Sequence, residues 1–391
     1  MSDACTTKTT YAIPLHRPDF SKADADVLLR ALDEGRLTGD GPASRELVAL
    51  ACDTLGCRDA FATPSGTHAL ELLFRALPLA PGDEVICPSF TFVSAANAIV
   101  LAGGVPVFAD VDPDTLNLDA GDSASRVTPR TRAIITAHYG GIASQLSELQ
   151  SLCEARGIDL LEDAAHALGG RFGGRPLGTW GRAAALSFHG TKNLVAGEGG
   201  MLVTSDRRLA ERAEVIREKG TDRSRFLRGE VDRYTWQTVG SSYLMSDLLA
   251  ALVASQWRRL DEITAARRDC FQNYQQAFES LAASGAVVRP TVPVDCESAF
   301  HIYYLLVETA DSRDRLTLFL RQRGIEASPH FVPLHLSPFA QNTLNTCRGT
   351  LPVTENAAGR LLRLPLYPGL SAAEQQAVVD AVVSFFVGRQ T

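Results

Sequence analysis

No two of the eight cysteines (Cys5, Cys52, Cys57, Cys87, Cys153, Cys270, Cys296, Cys347) are spaced as C-x-x-C. That argues against a zinc ribbon or a disulfide framework and leaves them as buried apolar fillers in a reduced compartment. An excess of basic charge is also lacking. A net charge of −7 and a pI near 5.7 give no global footprint for nucleic acid, although an anionic nucleotide would need only a few local cations. No apolar run is long enough to span a membrane: residues 95–109 are uncharged, but Gly103, Gly104 and Pro106 divide them into a helix end and a strand. The opening MSDACTTKTTYAIPLHRPDF has no apolar signal-peptide core, so a cytoplasmic protein is expected. What is present is an ordinary globular composition, 45% apolar over 391 residues, long enough for a large domain with a smaller companion.

The stretch 159–204 organises the rest. One short apolar run ends in acid (Leu160, Leu161, Glu162, Asp163); a second, Ala183 to Phe188, is followed by a single lysine, Lys192. Each run has the length of a buried strand and gives way to turn-forming residues. In open α/β sheets ligands sit at the carboxyl ends of parallel strands, which would bring Asp163 and Lys192 to one crevice. Together they suit pyridoxal phosphate: a lysine amine for its aldehyde, and a carboxylate to keep its ring nitrogen protonated. The Ser187 hydroxyl could reach the cofactor phosphate, and Gly197, Gly199 and Gly200 would let the chain turn before a strand at 201–204. Singly, a loop Asp or Lys is a solvated charge; the joint placement is what carries the reading. The glycines at 169–174 do not open a helix and read as a tight hairpin rather than a dinucleotide fingerprint.

The residues Glu162-Asp163-Ala164-Ala165-His166, Ser187-Phe188-His189-Gly190-Thr191-Lys192-Asn193 and Gly197-Glu198-Gly199-Gly200 resemble the signature of the DegT/DnrJ/EryC1/StrS sugar aminotransferases. The resemblance covers nearly the whole chain. A dehydrating branch carries histidine where this chain has Lys192, so transamination is implied. So is the α/β fold of the fold type I pyridoxal phosphate enzymes, with a large, mostly parallel-sheet domain at 20–260, a smaller α+β domain at 261–391 and an N-terminal arm at 1–19. By the same resemblance Ser65, Gly66 and Thr67 hold the cofactor phosphate, Phe92 stacks on the pyridine, and His166 lies against the ring substituents. His330 and His335 border the sugar site, with His189 on the substrate side. Independently of the resemblance, the turn-rich basic stretch 219–229 reads by default as a solvated loop, in which Lys219, Arg223, Arg225 and Arg228 could each offer charge-assisted bonds to a diphosphate on the substrate side. The histidines have no Asp or Cys companions in sequence that would suggest a metal. Many relatives have G-x-N-x-R-M near 240, the asparagine reaching the phosphate of a neighbouring subunit. This chain has Ser242 there, a shorter reach, and a homodimer is still implied.

Two further stretches, GSSYL at 240–244 and the basic segment 217–236, are most like the branch of the enterobacterial common antigen pathway. That branch aminates thymidine-diphosphate 4-keto-6-deoxyglucose at carbon 4, with L-glutamate as donor. The alternatives are a 3-keto-sugar aminotransferase, a lyase acting on amino acids, or a cofactor-sensing regulator. The last would call for a DNA-binding module, which the sequence does not display.

Along the chain, Ser21 is expected to cap a helix at 22–35 with Leu28, Leu29 and Leu32 inward. Further helices are expected at 44–55, 146–156, up to 219, 313–323 and 372–387, with one long helix from about 247 to 281. Strands are expected at 60–63, 84–88, 105–109, 133–137 and 301–308. Such alternation argues a mostly parallel sheet with helical crossovers.

Overall fold

The computed structural model describes residues 11–35 and 37–388; Cys5 and half of the expected N-terminal arm lie outside them. Helix α1 (Lys22–Asp33) begins where Ser21 and Asp24 form a reciprocal capping box. Two of the three leucines expected inward are not: Leu29 and Leu32 are 60% and 52% exposed, while Leu28 is partly buried. The buried residue is Asp24, whose carboxylate takes Arg259 Nη2 at 3.0 Å. Helix α2 (Pro42–Leu55) starts behind Gly41, which has no capping side chain. The cap comes from far along the chain, because Asp247 accepts the Ser44 N–H and hydroxyl, each at 2.7 Å, and the Ala43 N–H at 3.2 Å. A Cβ on Gly41 would sit 2.2 Å from that carboxylate.

Strand β1 (Asp59–Thr63) leads through α3 (Gly66–Ala76) to β2 (Glu84–Pro88), and α4 (Ser94–Leu101) leads to β3 (Val105–Ala109). After α5 (Ala120–Ser125) come β4 (Thr131–Ala137), α6 (Leu146–Arg156) and β5 (Asp159–Asp163). The glycine stretch forms the expected hairpin of β6 (Arg171–Phe172) and β7 (Arg175–Pro176), with Gly173 and Gly174 at φ +53° and +76° in its turn. Then follow β8 (Ala183–Ser187), β9 (Gly200–Thr204), α7 (Arg207–Arg217) and α8 (Arg223–Leu227), the last within the segment read as a basic loop.

The main sheet has seven strands in the order β1-β9-β8-β5-β4-β2-β3. Neighbours from β8 across to β3 pair parallel, while β9 runs antiparallel to both β8 and β1. A parallel return needs a crossover; residues 188–199 contain no helix, so β9 comes back as a hairpin partner. Apolar clusters cover both faces, one around Leu47, Leu149, Met201 and Trp257, the other around Leu72, Phe74, Ile99 and Leu209. This double covering is why the strands read as continuous apolar runs.

The expected long helix is broken. α9 (Asp247–Trp257) ends and α10 (Leu260–Ala277) begins across Arg258 and Arg259, where the Arg259 guanidinium is fixed by Asp19 at 2.9 Å and by Asp24. A second sheet pairs β10 (Val287–Val288), β12 (Tyr303–Val307) and β13 (Leu361–Leu364) in that order, all antiparallel, over its own core of Phe271, Tyr274, Leu316 and Val378. Between them β11 (Cys296–Glu297) reaches across to β6. No helix among the described residues is long and apolar enough to cross a membrane.

Candidate active site

The carboxyl ends of β4, β5 and β8 and one face of the C-terminal sheet enclose a cavity of about 680 Å³. Asp163, the last residue of β5, lies in its floor and is 7% exposed. Its Oδ1 accepts the Ala165 N–H at 3.1 Å, and burial raises its carboxyl above the usual range, against that hydrogen bond and the charge of Lys192. Lys192 sits on the loop after β8. Desolvation lowers its ammonium to about 8, with Asp163 opposing the shift and Arg363 adding to it. A buried acid and an amine made available near neutrality therefore share one cavity.

The other end of the cavity is built to receive an anion. Ser65 caps α3, its Oγ accepting the His68 N–H at 3.1 Å and lying 3.1 Å from His68 Nδ1. Thr67 Oγ1 is 2.7 Å from Ser94 Oγ at the start of α4. Ser65, Gly66, Thr67, Ser94 and Ser187 all line the space, at the N-terminus of α3, where backbone N–H groups without helical partners favour an anion. The chain is tightly drawn here. A Cβ on Gly66 would meet Ser187 Cβ at 2.8 Å, and one on Gly200 would meet the Ser65 carbonyl carbon at 2.4 Å. Gly197, at φ +80°, serves the turn foreseen for it; Gly200 is there for close approach of two backbones.

A histidine cluster forms the wall. His166 lies 4.2 Å from the His301 ring centroid and is stacked with His330 at 6.1 Å; His330 in turn stacks on Phe331 at 3.7 Å. Tyr139 Oη meets His330 Nδ1 at 2.8 Å, and Asn193 Oδ1 meets His301 Nδ1 at 2.9 Å. Because Asn193 Nδ2 donates to the Ala299 carbonyl at 2.8 Å, its Oδ1 is free to accept, which places a proton on His301 Nδ1. Burial first, then the charge of Lys192 and repulsion from neighbouring histidines, hold His166 and His301 well below the ordinary histidine range, with Arg363 adding to the shift of His166 and Arg267 to that of His301. Burial and the charges of Arg363 and Lys192 push His330 down to about 2. The cluster is neutral at physiological pH.

The expected Phe92, 57% exposed, and His189, whose Nδ1 is 3.0 Å from Thr191 Oγ1, also line the cavity. His335 does not. It is fully buried, with Nδ1 at 2.7 Å from Ser89 Oγ and Nε2 at 3.1 Å from Glu355 Oε1. This Ser–His–Glu chain resembles a hydrolase triad, but Ser89 is itself inaccessible and its Oγ accepts the His335 N–H at 3.0 Å. It anchors the loop that carries His330 and Phe331. Lys219 and Arg223 pair with the buried Glu218 outside the cavity lining, and Ser242 is exposed, bridging Glu218 through its backbone. Sequence reasoning missed His16, His138, Tyr139, His301 and Arg363, all at the cavity. His138 and Tyr139 directly follow β4, so the strand-end rule that located Asp163 could have found them; His16 and Arg363 carry no such signal. No group of three or more His, Cys, Asp or Glu side chains that could hold a metal occurs among the described residues.

The donor set fits pyridoxal phosphate. Asp163 is a buried carboxylate to which no cation is bonded among the described residues, suited to a protonated ring nitrogen, and the cradle at Gly66 would be filled by any Cβ. Comparison with known proteins agrees. The model of the DegT/DnrJ/EryC1/StrS aminotransferase family matches residues 18–383. The spore coat polysaccharide biosynthesis protein SpsC of Bacillus subtilis is 34% identical over 96% of this chain and 97% of its own length. The aminotransferase TlmJ of Streptoalloteichus hindustanus superposes with a TM-score of 0.88 at 32% identity, over 97% of this chain and all of that one. DesV of S. venezuelae does so with 0.84 at 32% identity, over 92% and 93% of the two chains. By a family match across nearly its whole length, and by a cavity that brings Lys192 and Asp163 together, the chain belongs to the DegT/DnrJ/EryC1/StrS aminotransferases, enzymes that work with pyridoxal phosphate.

Proposed function

We propose that this aminotransferase moves nitrogen from L-glutamate to carbon 4 of thymidine-diphosphate 4-keto-6-deoxyglucose, as a homodimer of the two-domain chain divided near residue 260. The observation that carries the reading is the pairing of a buried Asp163 with a Lys192 amine lowered to about 8 in one cavity. Support for the sugar class comes from the family match, and for the 4-keto substrate from the resemblance of 217–236 and 240–244 to that branch.

Bound pyridoxal phosphate supplies the aldehyde that takes up nitrogen and the ring that withdraws electrons from it. Asp163 keeps that ring charged. Ser65, Gly66, Thr67 and Ser187 hold its phosphate, with Ser242 reaching the partner's site; Phe92 and His166 confine the ring. Lys192 Nζ, unprotonated, takes the donor's α-proton and later delivers a proton to the sugar carbon. The neutral His330, held by Tyr139, and His189 face the sugar. Lys219 and Arg223 belong on the diphosphate side.

The test is the product. Mass spectrometry and NMR after incubation with glutamate and the 4-keto sugar should reveal a 4-amino-4,6-dideoxyhexose. Amine appearing only from the 3-keto isomer would replace this substrate with the other.

A further inference from the structure

Helix α2 closes with two thiols side by side. It ends at Gly56, in the left-handed conformation at φ +66°, whose N–H returns to the Cys52 carbonyl at 2.9 Å. A left-handed cap of this kind brings the residue after the glycine back against the last full turn of the helix. In the run Cys52-Asp53-Thr54-Leu55-Gly56-Cys57 both of those places are cysteine. Cys57 Sγ lies 3.8 Å from Cys52 Sγ and donates to it, and Cys52 Sγ is in turn 3.8 Å from the Arg58 carbonyl oxygen. Cys87, Cys153, Cys270 and Cys296 are buried, as apolar fillers are, whereas Cys52 and Cys57 are both partly open to solvent.

The surroundings hold this arrangement. Trp257 Nε1 donates to Thr54 Oγ1 at 3.0 Å, which ties the last turn of α2 to α9, and the Arg58 N–H donates to Ser205 Oγ at 3.3 Å just beyond β9. A disulfide asks for a further approach of about 1.8 Å, and that falls to the two side chains because the turn between them is anchored. The thiols are not equivalent. The hydrogen bond from Cys57 lowers the Cys52 thiol below its ordinary value, against partial burial and the charge of Asp59; the same bond, burial and the charge of a Cys52 thiolate raise Cys57. Cys52 therefore supplies the thiolate, the form that attacks peroxides, while Cys57 keeps its proton.

We propose that Cys52 and Cys57 form a reversible oxidation site, in which Cys52 takes up oxygen from hydrogen peroxide and Cys57 resolves it to an intramolecular disulfide. The Cys52 sulfur attacks one peroxide oxygen, the O–O bond breaks, and the departing oxygen takes up the proton that Cys52 gave up and leaves as water. Cys52 is now a sulfenic acid without charge, so the repulsion that kept the proton on Cys57 is gone. The Cys57 sulfur attacks the Cys52 sulfur, the S–O bond breaks, and the hydroxyl leaves with the Cys57 proton as a second water. Two thiols are oxidised and one peroxide is reduced. In a reducing compartment such a bond is a transient product of peroxide, returned to thiols by a dithiol reductant. Neither cysteine lines the active-site cavity, and the site is independent of the transamination reading.

The experiment treats the full-length, cofactor-loaded enzyme with one equivalent of hydrogen peroxide, caps the remaining thiols with iodoacetamide, and maps the tryptic peptides without reduction. Cleavage after Arg45 and Arg58 places both sulfurs in one peptide, residues 46–58. That peptide should lose two hydrogens and carry no alkyl group, and dithiothreitol before capping should restore two alkyl groups, while the exposed Cys347 stays alkylated throughout. With dimedone present, Cys57→Ser should accumulate the sulfenic-acid adduct on Cys52, because the resolving thiol is gone. Cys52→Ser should label Cys57 about tenfold more slowly. A peptide 46–58 that keeps both alkyl groups while other cysteines oxidise overturns the proposal, and so does a disulfide found between two chains. Equal dimedone labelling in the two variants overturns the division of roles. Should either variant not fold, the peptide map of the wild type decides alone, since it needs no substitution.

Discussion

His138 Nε2 donates to Glu162 Oε2 across 2.8 Å, with both side chains fully buried, immediately beneath the carboxylate of Asp163 in sequence. Glu162 also accepts the Gly178 N–H at 2.8 Å and the Gly181 N–H at 2.7 Å, and His138 Nδ1 accepts the Ser144 N–H at 3.3 Å. Every polar atom of the pair thus has a partner, and the pair ties the ends of β4 and β5 to the loop after β7. Replacing Glu162 by Ala strands the histidine and two backbone donors in the core. The expected cost is about 3–5 kcal/mol of unfolding free energy, read from the shift of the urea midpoint. A shift below about 1 kcal/mol would mean that water or a repacked neighbour satisfies those groups.

Lys192 should capture the cofactor with an unusual pH dependence. With its ammonium lowered to about 8, about one-tenth of the amine is neutral at pH 7, against about one part in 3,000 for an ordinary lysine. The rate of reconstitution from cofactor-free protein should therefore rise with pH and level off above a midpoint near 8. A midpoint near 10 would argue that the site is wet. Borohydride treatment of the loaded enzyme should leave a mass tag on the peptide containing Lys192.

Asp163 should reveal itself in the stability of the cofactor-free protein. Burial raises its carboxyl above the unfolded value, so the folded state binds a proton more tightly than the unfolded chain. The stabilisation is complete below the ordinary carboxylate range and is lost as pH climbs through the raised value. Asp163→Asn should flatten that decline, leaving the variant at least as stable as wild type at pH 7 without cofactor, yet slower in turnover by about 10²–10⁴-fold when loaded. Thermal unfolding across pH 3–8 with and without pyridoxal phosphate separates the two effects. A variant less stable than wild type at pH 7 without cofactor would contradict the sign.

Gly200→Ala is a test of the phosphate cradle. Its new methyl would press on the Ser65 backbone at 2.4 Å, with the Gly66 N–H at 2.5 Å, and the turn that opens α3 must move. A strain of about 1–3 kcal/mol translates to about a 5- to 150-fold weaker hold on pyridoxal phosphate, measured by equilibrium dialysis. An unchanged dissociation constant would mean that the turn does not bear on the phosphate.

The parts of this site legible in the sequence are those where chemistry and strand geometry coincide. Asp163 and Lys192 follow short apolar runs, and a parallel sheet delivers whatever follows its strands to one edge. The direction of β9 was not legible, because residues 188–199 give no periodic signal to say whether the chain crosses over or turns back. Leu29 and Leu32 have helical spacing and yet face outward, since spacing shows that a stripe exists and not what covers it. His335 and His330 share one motif, but five residues separate a loop anchor from a cavity wall. Arg363 sits in an apolar strand where a lone cation reads as an edge residue; only tertiary packing reveals that it lines the same cavity as Lys192.

The distant cap on α2 has a practical consequence. The carboxylate of Asp247 follows directly on the 240–246 segment that carries Ser242, and it is bonded to the opening turn of a helix some two hundred positions earlier. Anyone grafting that segment from a relative must transplant Gly41–Ser44 alongside it, or the borrowed piece will arrive without the socket into which it plugs.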